Sequence, residues 1–213
     1  SRPVNYLTYS VAARDGREHE VEVYFEASPR WALDQPYQQS ASKGYEADGL
    51  LYLKSGSKEQ NILAKQGDDL RIDWGYFYMV AGKENTAYSV GNSTELRKNF
   101  VNGTLNSASL EGEDSNGNMA LVRSHGKVKN VTDKIMLGYD DIYSIQYFGT
   151  NLRPYWNSKG DRTIEAEMLA AYNEYDKLLA RCYAFDKKLM EDASAAGGKE
   201  YAELCALAYR QSI

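Results

Sequence analysis

The chain has 213 residues, of which 43% are hydrophobic and 26% charged, with a net charge of −5. A chain of this length can bury roughly 70% of its unfolded surface, so it needs no disulfide or metal staple to hold a core. The acidic balance argues against nucleic acid as a partner, because phosphate binding depends on basic surfaces, and no apolar run is long enough to span a bilayer.

Residues 3–13 and 18–27 read as two strands of a β-hairpin turning at Asp15-Gly16, residue types that tolerate the positive φ of tight turns. Pro29, Pro36 and the Gln/Ser-rich run to Gly44 form a surface connection. Further strands are expected near 46–54, 59–64, 70–80, 86–91, 118–125 and 133–139, with a turn at Gly67-Asp68-Asp69. In the strongest strand Ile72, Trp74, Tyr76, Tyr78 and Val80 share one face, while Arg71 and Asp73 share the other and are expected to pair. Residues 94–101 read as one or two helical turns and 102–118 as a loop. Within it Asp114-Ser115-Asn116-Gly117-Asn118 is read as a turn, because it lacks the glycine and closing glutamate of a calcium loop. Eighteen tyrosines against five phenylalanines suit half-exposed sheet faces.

The rhythm changes across Gly138–Trp156, a segment dense in aromatics. Beyond it, Ile164, Met168, Tyr175, Leu178, Cys182, Phe185 and Leu189 form one apolar stripe at helical spacing. Asp161 is the expected N-cap, and Glu165 and Glu167 suit the positive end of the helix dipole. Gly197-Gly198 ends this helix and Tyr201 opens a second. The fold class is therefore mainly β with a C-terminal α part. An antiparallel β-sandwich over 1–145 is followed by an aromatic-rich connector over 146–160 and a helical hairpin over 161–213. Cys182 and Cys205 are offset by roughly 7 Å along such a hairpin, so they read as buried free thiols rather than a disulfide. Both ends read as cut, which predicts a piece of a longer polypeptide.

Candidate chemistry is sparse. His19 and His125 lie in separate strands, so no metal site or Ser-His-Asp relay is expected, and no cofactor. Asp140 and Asp141 are the candidate catalytic carboxylates. Adjacent residues of an extended segment point to opposite sides, so at most one faces a given cleft. Held among aromatic rings, that one would have a raised pKa and could act as general acid or base. The rival reading has them bonded to backbone amides or to Arg153. Asp73, Trp74, Asn151, Arg153 and Trp156 are the candidate binding residues.

The runs Ser1–Tyr9, Asp15-Gly16 with Val21-Glu22-Val23-Tyr24, Gly67–Tyr76, Gly138–Trp156 and Tyr209-Arg210-Gln211 together resemble the glutaminase A family, secreted proteins of fungi and Bacteroidetes, in spelling closer to the bacterial members. The resemblance implies a sandwich followed by the start of an α/α toroid, hydrolysis of L-glutamine, and a secreted, periplasmic or cell-surface location. It also implies that this portion is inactive alone, with the rest of its own polypeptide as partner and a small molecule as substrate. The competing class is a carbohydrate-active or carbohydrate-binding module, because sandwich-plus-toroid architecture is shared with glycosidases. A third is a pure interaction module using tyrosine-rich faces.

Overall fold

The computed structural model describes residues 2–68, 70–105 and 117–212. Ten strands run in the order β1 (Val4–Ala12), β2 (His19–Ala27), β3 (Ser40–Ala47), β4 (Leu50–Ser57), β5 (Tyr76–Gly82), β6 (Thr86–Gly91), β7 (Asn118–Val128), β8 (Asn130–Asp140), β9 (Ile145–Tyr147) and β10 (Thr150–Leu152). Helix α1 (Ser93–Val101) follows β6, and α2 (Ile164–Gln211) closes the chain. All pairings are antiparallel. The strands make a five-stranded sheet, β1-β8-β5-β4-β3, a three-stranded sheet, β2-β7-β6, and the small β9/β10 hairpin.

Alternation along the strands builds the sandwich, since successive side chains leave opposite faces of a sheet. Leu51, Leu53, Phe77, Met79, Ala81 and Ile135 of the larger sheet meet Tyr88, Val90, Met119 and Leu121 of the smaller one in a single buried cluster. The intervening residues Tyr52, Lys54, Tyr76, Tyr78, Gly138 and Asp140 fall on the outer face of the larger sheet. This resolves the strong strand differently from its sequence reading. Its core side is Phe77 and Met79, the Tyr76/Tyr78 side faces outward, and Ile72 and Trp74 precede the strand.

Three further expectations are corrected. β1 and β2 are not a hairpin: β1 pairs with β8 and β2 with β7, so the Asp15-Gly16 connection carries the chain from one sheet to the other. The expected strand near 46–54 is two strands joined by Asp48-Gly49, whose φ values of 51° and 78° are those of a tight hairpin turn. No strand forms over 59–64, where Gln60 and Leu63 take positive φ. The stretch 106–116, including Asp114 to Asn116, lies outside the described residues, as does Asp69 of the expected Gly67-Asp68-Asp69 turn. α1 forms as expected, its N-terminal amides capped by the Asn92 side chain at 2.9 and 3.4 Å.

The chain divides into two compact units, Ser1–Leu169 and Ala170–Ile213. Thr163 rather than Asp161 caps α2, its hydroxyl accepting from the Ala166 amide at 3.2 Å. Within the second unit the helical path breaks at Gly198, with φ 82° and ψ −175°. The rings of Phe185 and Tyr209 then meet at 5.0 Å. Twenty-four residues of unbroken helix would hold them about 36 Å apart, so the two segments fold back as the expected hairpin. Both cysteines are free, but Cys182 is exposed and Cys205 half-buried, not enclosed. At the centre of the sandwich, Leu53→Ala is expected to cost about 2–5 kcal/mol through lost transfer energy and the cavity left behind, read as a lower urea midpoint at unchanged slope.

Candidate functional site

Among the described residues of the first unit, the outer face of the five-stranded sheet carries a group of chemically competent side chains that includes Lys54, Asp140 and Glu165. Strand register places it. Lys43 lies opposite Lys54, Lys54 opposite Tyr78, Tyr45 opposite Tyr52, and Tyr76 opposite Asp140. The Lys54 ammonium sits 3.6 Å from the centre of the Tyr76 ring and 5.6 Å from that of Tyr78, within cation–π range. The Tyr45 and Tyr52 rings stack at 5.0 Å, 9° from parallel. Glu165, from the first turn of α2, accepts the Tyr45 hydroxyl at 2.7 Å. This turn reaches the sheet because β8 offers Gly138 there: a Cβ at that position would collide with the Met168 methyl and approach the Pro3 carbonyl oxygen to 2.7 Å.

Burial sets the electrostatics of this face. It lowers the basicity of Lys54, an effect reinforced by Lys43 across the strand pair. It raises the pKa of Asp140, as do the charges of Asp141 and Glu165, against the Ile142 amide and Lys54, which pull it down. Tyr52 is pushed up to about 12 by burial and by Glu165, and Tyr78 is raised by burial and by Glu165 and Asp140. These hydroxyls stay protonated and available as donors.

Asp140 is held in place by the seam below it. Its Oδ1 accepts the Ile142 amide at 3.0 Å. The Tyr143 amide reaches back to the Asp141 carbonyl at 2.5 Å, closing a three-residue turn around Ile142, whose φ is 61°. A β-branched residue in that region is strained by about 1–3 kcal/mol. The Trp74 indole N–H offsets this by donating to both the Asp141 carbonyl at 2.8 Å and the Tyr143 carbonyl at 2.9 Å. The Tyr139 hydroxyl in turn donates to the Trp74 carbonyl. Gly75, at φ 79°, lets the chain come this close, since a Cβ there would lie 2.9 Å from the Asp141 Cα and nearer still to the Asp140 carbonyl oxygen.

The structure thus gathers Trp74, Asp140 and Asp141 at one seam. Asp140 belongs to the outer face, whereas Asp141 is tied down by the Ser144 hydroxyl at 2.5 Å. Arg153 stacks over the Tyr143 ring at 4.9 Å. The other candidates lie apart. Asp73 does not pair with Arg71; its buried carboxylate accepts from Lys65 at 2.8 Å and Gln38 at 3.1 Å. Asn151 is exposed on the β9/β10 hairpin and bonded to Gln146 at 3.1 Å. Trp156 lines a cavity of about 280 Å³ with Tyr155, Ser158, Lys159, Asp161 and Arg162. Lys54, Tyr45, Tyr76, Tyr78 and Glu165 were missed as site residues. The signal that could have found them is the Asp48-Gly49 turn, which fixes the β3/β4 register and so sets Lys43 beside Lys54.

Among the described residues no group of three or more His, Cys, Asp and Glu side chains is placed to hold a metal ion, and no helix is long and apolar enough to cross a membrane. Compared with known proteins, residues 1–192 match a family model described as "Domain of unknown function (DUF5127)". The chain is 26% identical over 224 residues to "Glutaminase A" of Aspergillus oryzae (strain ATCC 42149 / RIB 40), an alignment covering 97% of this chain and 31% of that protein. The chain therefore spans about a third of the length of the curated relative it matches.

Two outcomes follow from the geometry. Trp74→Phe, which leaves two carbonyls without their shared donor, is expected to cost about 1–3 kcal/mol, measured by chemical denaturation. Folded Asp140 keeps its proton to higher pH than the unfolded chain, so its contribution to stability falls as pH rises from the ordinary value of 3.8 through the raised folded one. Asp140→Asn is expected to remove that slope, leaving the variant the more stable protein at neutral pH; matched melting curves from about pH 4 to about pH 7 check the sign.

Proposed function

The chain belongs to the DUF5127 family, and from that premise we propose that it is the sandwich and first helical hairpin of a glutaminase-like amidohydrolase. The observation that carries this reading is the Asp140–Lys54–Glu165 group on the outer sheet face, where α2 begins, in a chain similar along nearly all its length to a protein named Glutaminase A. The finer reading is that the substrate is L-glutamine, cleaved to glutamate and ammonia. A secreted, periplasmic or cell-surface location and the bacterial branch of the family are parts of the same proposal.

The chemistry fits the group. Releasing ammonia from a carboxamide requires a proton delivered to the departing nitrogen, and a carboxylic acid whose burial favours its protonated form is suited to that task. Tyrosine hydroxyls that resist ionisation are suited to donate to a developing oxyanion. The residues of this chain form one wall; the facing wall is assigned to the remainder of its polypeptide, which also covers the apolar side chains Leu204 and Leu207 exposed on the terminal hairpin.

The test is ammonia release from L-glutamine. Residues 1–213 alone are expected to show none, and the longer polypeptide to show turnover that falls at least about 100-fold on Asp140→Asn, the size typical of losing a general acid. Turnover by residues 1–213 alone would overturn the one-wall reading, and hydrolysis of glycosides in place of L-glutamine would replace the amide with a glycosidic substrate.

A further inference from the structure

The β9/β10 hairpin has neither face packed: every residue from Ile145 to Leu152 is exposed. A two-stranded hairpin in that state is marginally stable in water. Its two-residue turn holds Phe148 at φ 44° and Gly149 at φ 78°. Such turns favour Asn, Asp or Gly before the glycine, and a bulky aromatic in the left-handed region is strained. Phe148 is nonetheless the ring at the tip, 89% exposed and in edge contact at 4.5 Å with Tyr147, itself 61% exposed. Ile145, Leu152 and, just beyond the hairpin, Tyr155 are exposed too. In a chain that is 26% charged, the three residues of each strand and the two of the turn include no charged side chain. Aromatic enrichment with depletion of charge marks the buried centre of an interface, and an uncharged exposed edge is one that folded proteins cover or blunt.

We propose that this hairpin is a docking arm, and that the Phe148 ring seats in an apolar recess on the remainder of the same polypeptide. Two observations favour that occupant over a second copy. The aligned region covers 97% of this chain but 31% of the relative, which therefore extends well beyond it. Stable association between separate chains takes about 20–30 residues a side, far more than this hairpin offers, whereas a segment tethered in the same polypeptide is held at high effective concentration and needs fewer contacts. Burial of the Tyr147 and Phe148 rings then offsets the turn strain that the ring at the tip imposes. The proposal shares with the amidohydrolase reading the longer polypeptide, and adds the place where its parts are joined.

Hydrogen exchange tests this, comparing the 213-residue protein with the longer polypeptide. Amides of Ile145–Leu152 are expected to exchange at least about tenfold more slowly in the longer one. Phe148→Asn suits the turn and deletes the ring. It is expected to leave unchanged or raise the urea midpoint of the 213-residue protein, and to lower the midpoint and remove the hairpin's protection in the longer polypeptide. Should that variant of the longer polypeptide not fold, the exchange comparison on the wild type decides alone. Equal exchange of the hairpin in both proteins, or a Phe148→Asn effect of the same sign in both, would overturn the inference. So would a dimer of the 213-residue protein in sedimentation that Phe148→Asn dissolves, because a second copy would then be the occupant. A protected hairpin in a polypeptide that releases no ammonia from L-glutamine would keep this contact and remove the glutaminase reading, while glutamine turnover with an unprotected hairpin would do the reverse.

Discussion

The single indole N–H of Trp74, shared between the carbonyls of Asp141 and Tyr143, is the constraint on which the candidate site depends. The left-handed Ile142 between them has no reason to persist in isolation, and strained residues of this kind survive where surrounding structure over-determines them. Here the determinants are the indole, the Asp140 side chain that catches the Ile142 amide, and the Gly75 backbone that fits beneath. The turn stops β8 at Asp140, so the strand's last side chain faces the tyrosines instead of continuing a ladder.

Above that seam the sheet face works as a graded dielectric. Tyr52 and Tyr78 are buried, Tyr45, Tyr76, Lys54 and Asp140 half-buried, and Lys43 exposed. Charge near the buried side is worth more than charge in water, which is why one lysine among aromatic rings and one aspartate beside them influence each other across a β-strand. The stacked Tyr45–Tyr52 pair and the Tyr45 hydroxyl tie Glu165, and with it the start of α2, to this face. The helix's first turn is thus part of the site's chemistry as well as the exit from the sandwich.

The layered β architecture and the hairpin at Gly198 were legible because each is written locally: alternation for strands, three-to-four spacing for helices, a glycine where φ must be positive. Asp140 was legible as a carboxylate among aromatics, and the tyrosine excess as half-exposed sheet. What stayed hidden is non-local. Nothing adjacent in sequence shows that Lys54 meets Tyr76, or that Glu165, which suits a helix dipole, also receives a tyrosine hydroxyl. The Arg71–Asp73 pair failed because both residues precede the strand, so their two-residue spacing has no pleat to align it, and Asp73 turns inward to Lys65 and Gln38 instead. Asn151 and Trp156 belong to the connector's own small hairpin and to a cavity beside it.

The strand exchange between the sheets has a kinetic corollary. β1 is matched to β8, with Val4 facing Gly138, and β2 to β7, with His19 facing Val128. During synthesis β1 therefore emerges 118 to 134 residues ahead of its partners (Ala12 to Asn130, Val4 to Gly138), and β2 emerges 92 to 109 residues ahead of its own (Ala27 to Met119, His19 to Val128). Closing such long loops is entropically slow, and until it happens two edges rich in unsatisfied amides stay open to wrong pairing. A polypeptide wired this way can close its two sheets only after β7 and β8 have left the ribosome, although the local β3–β4–β5 pairing is complete in sequence by Gly82.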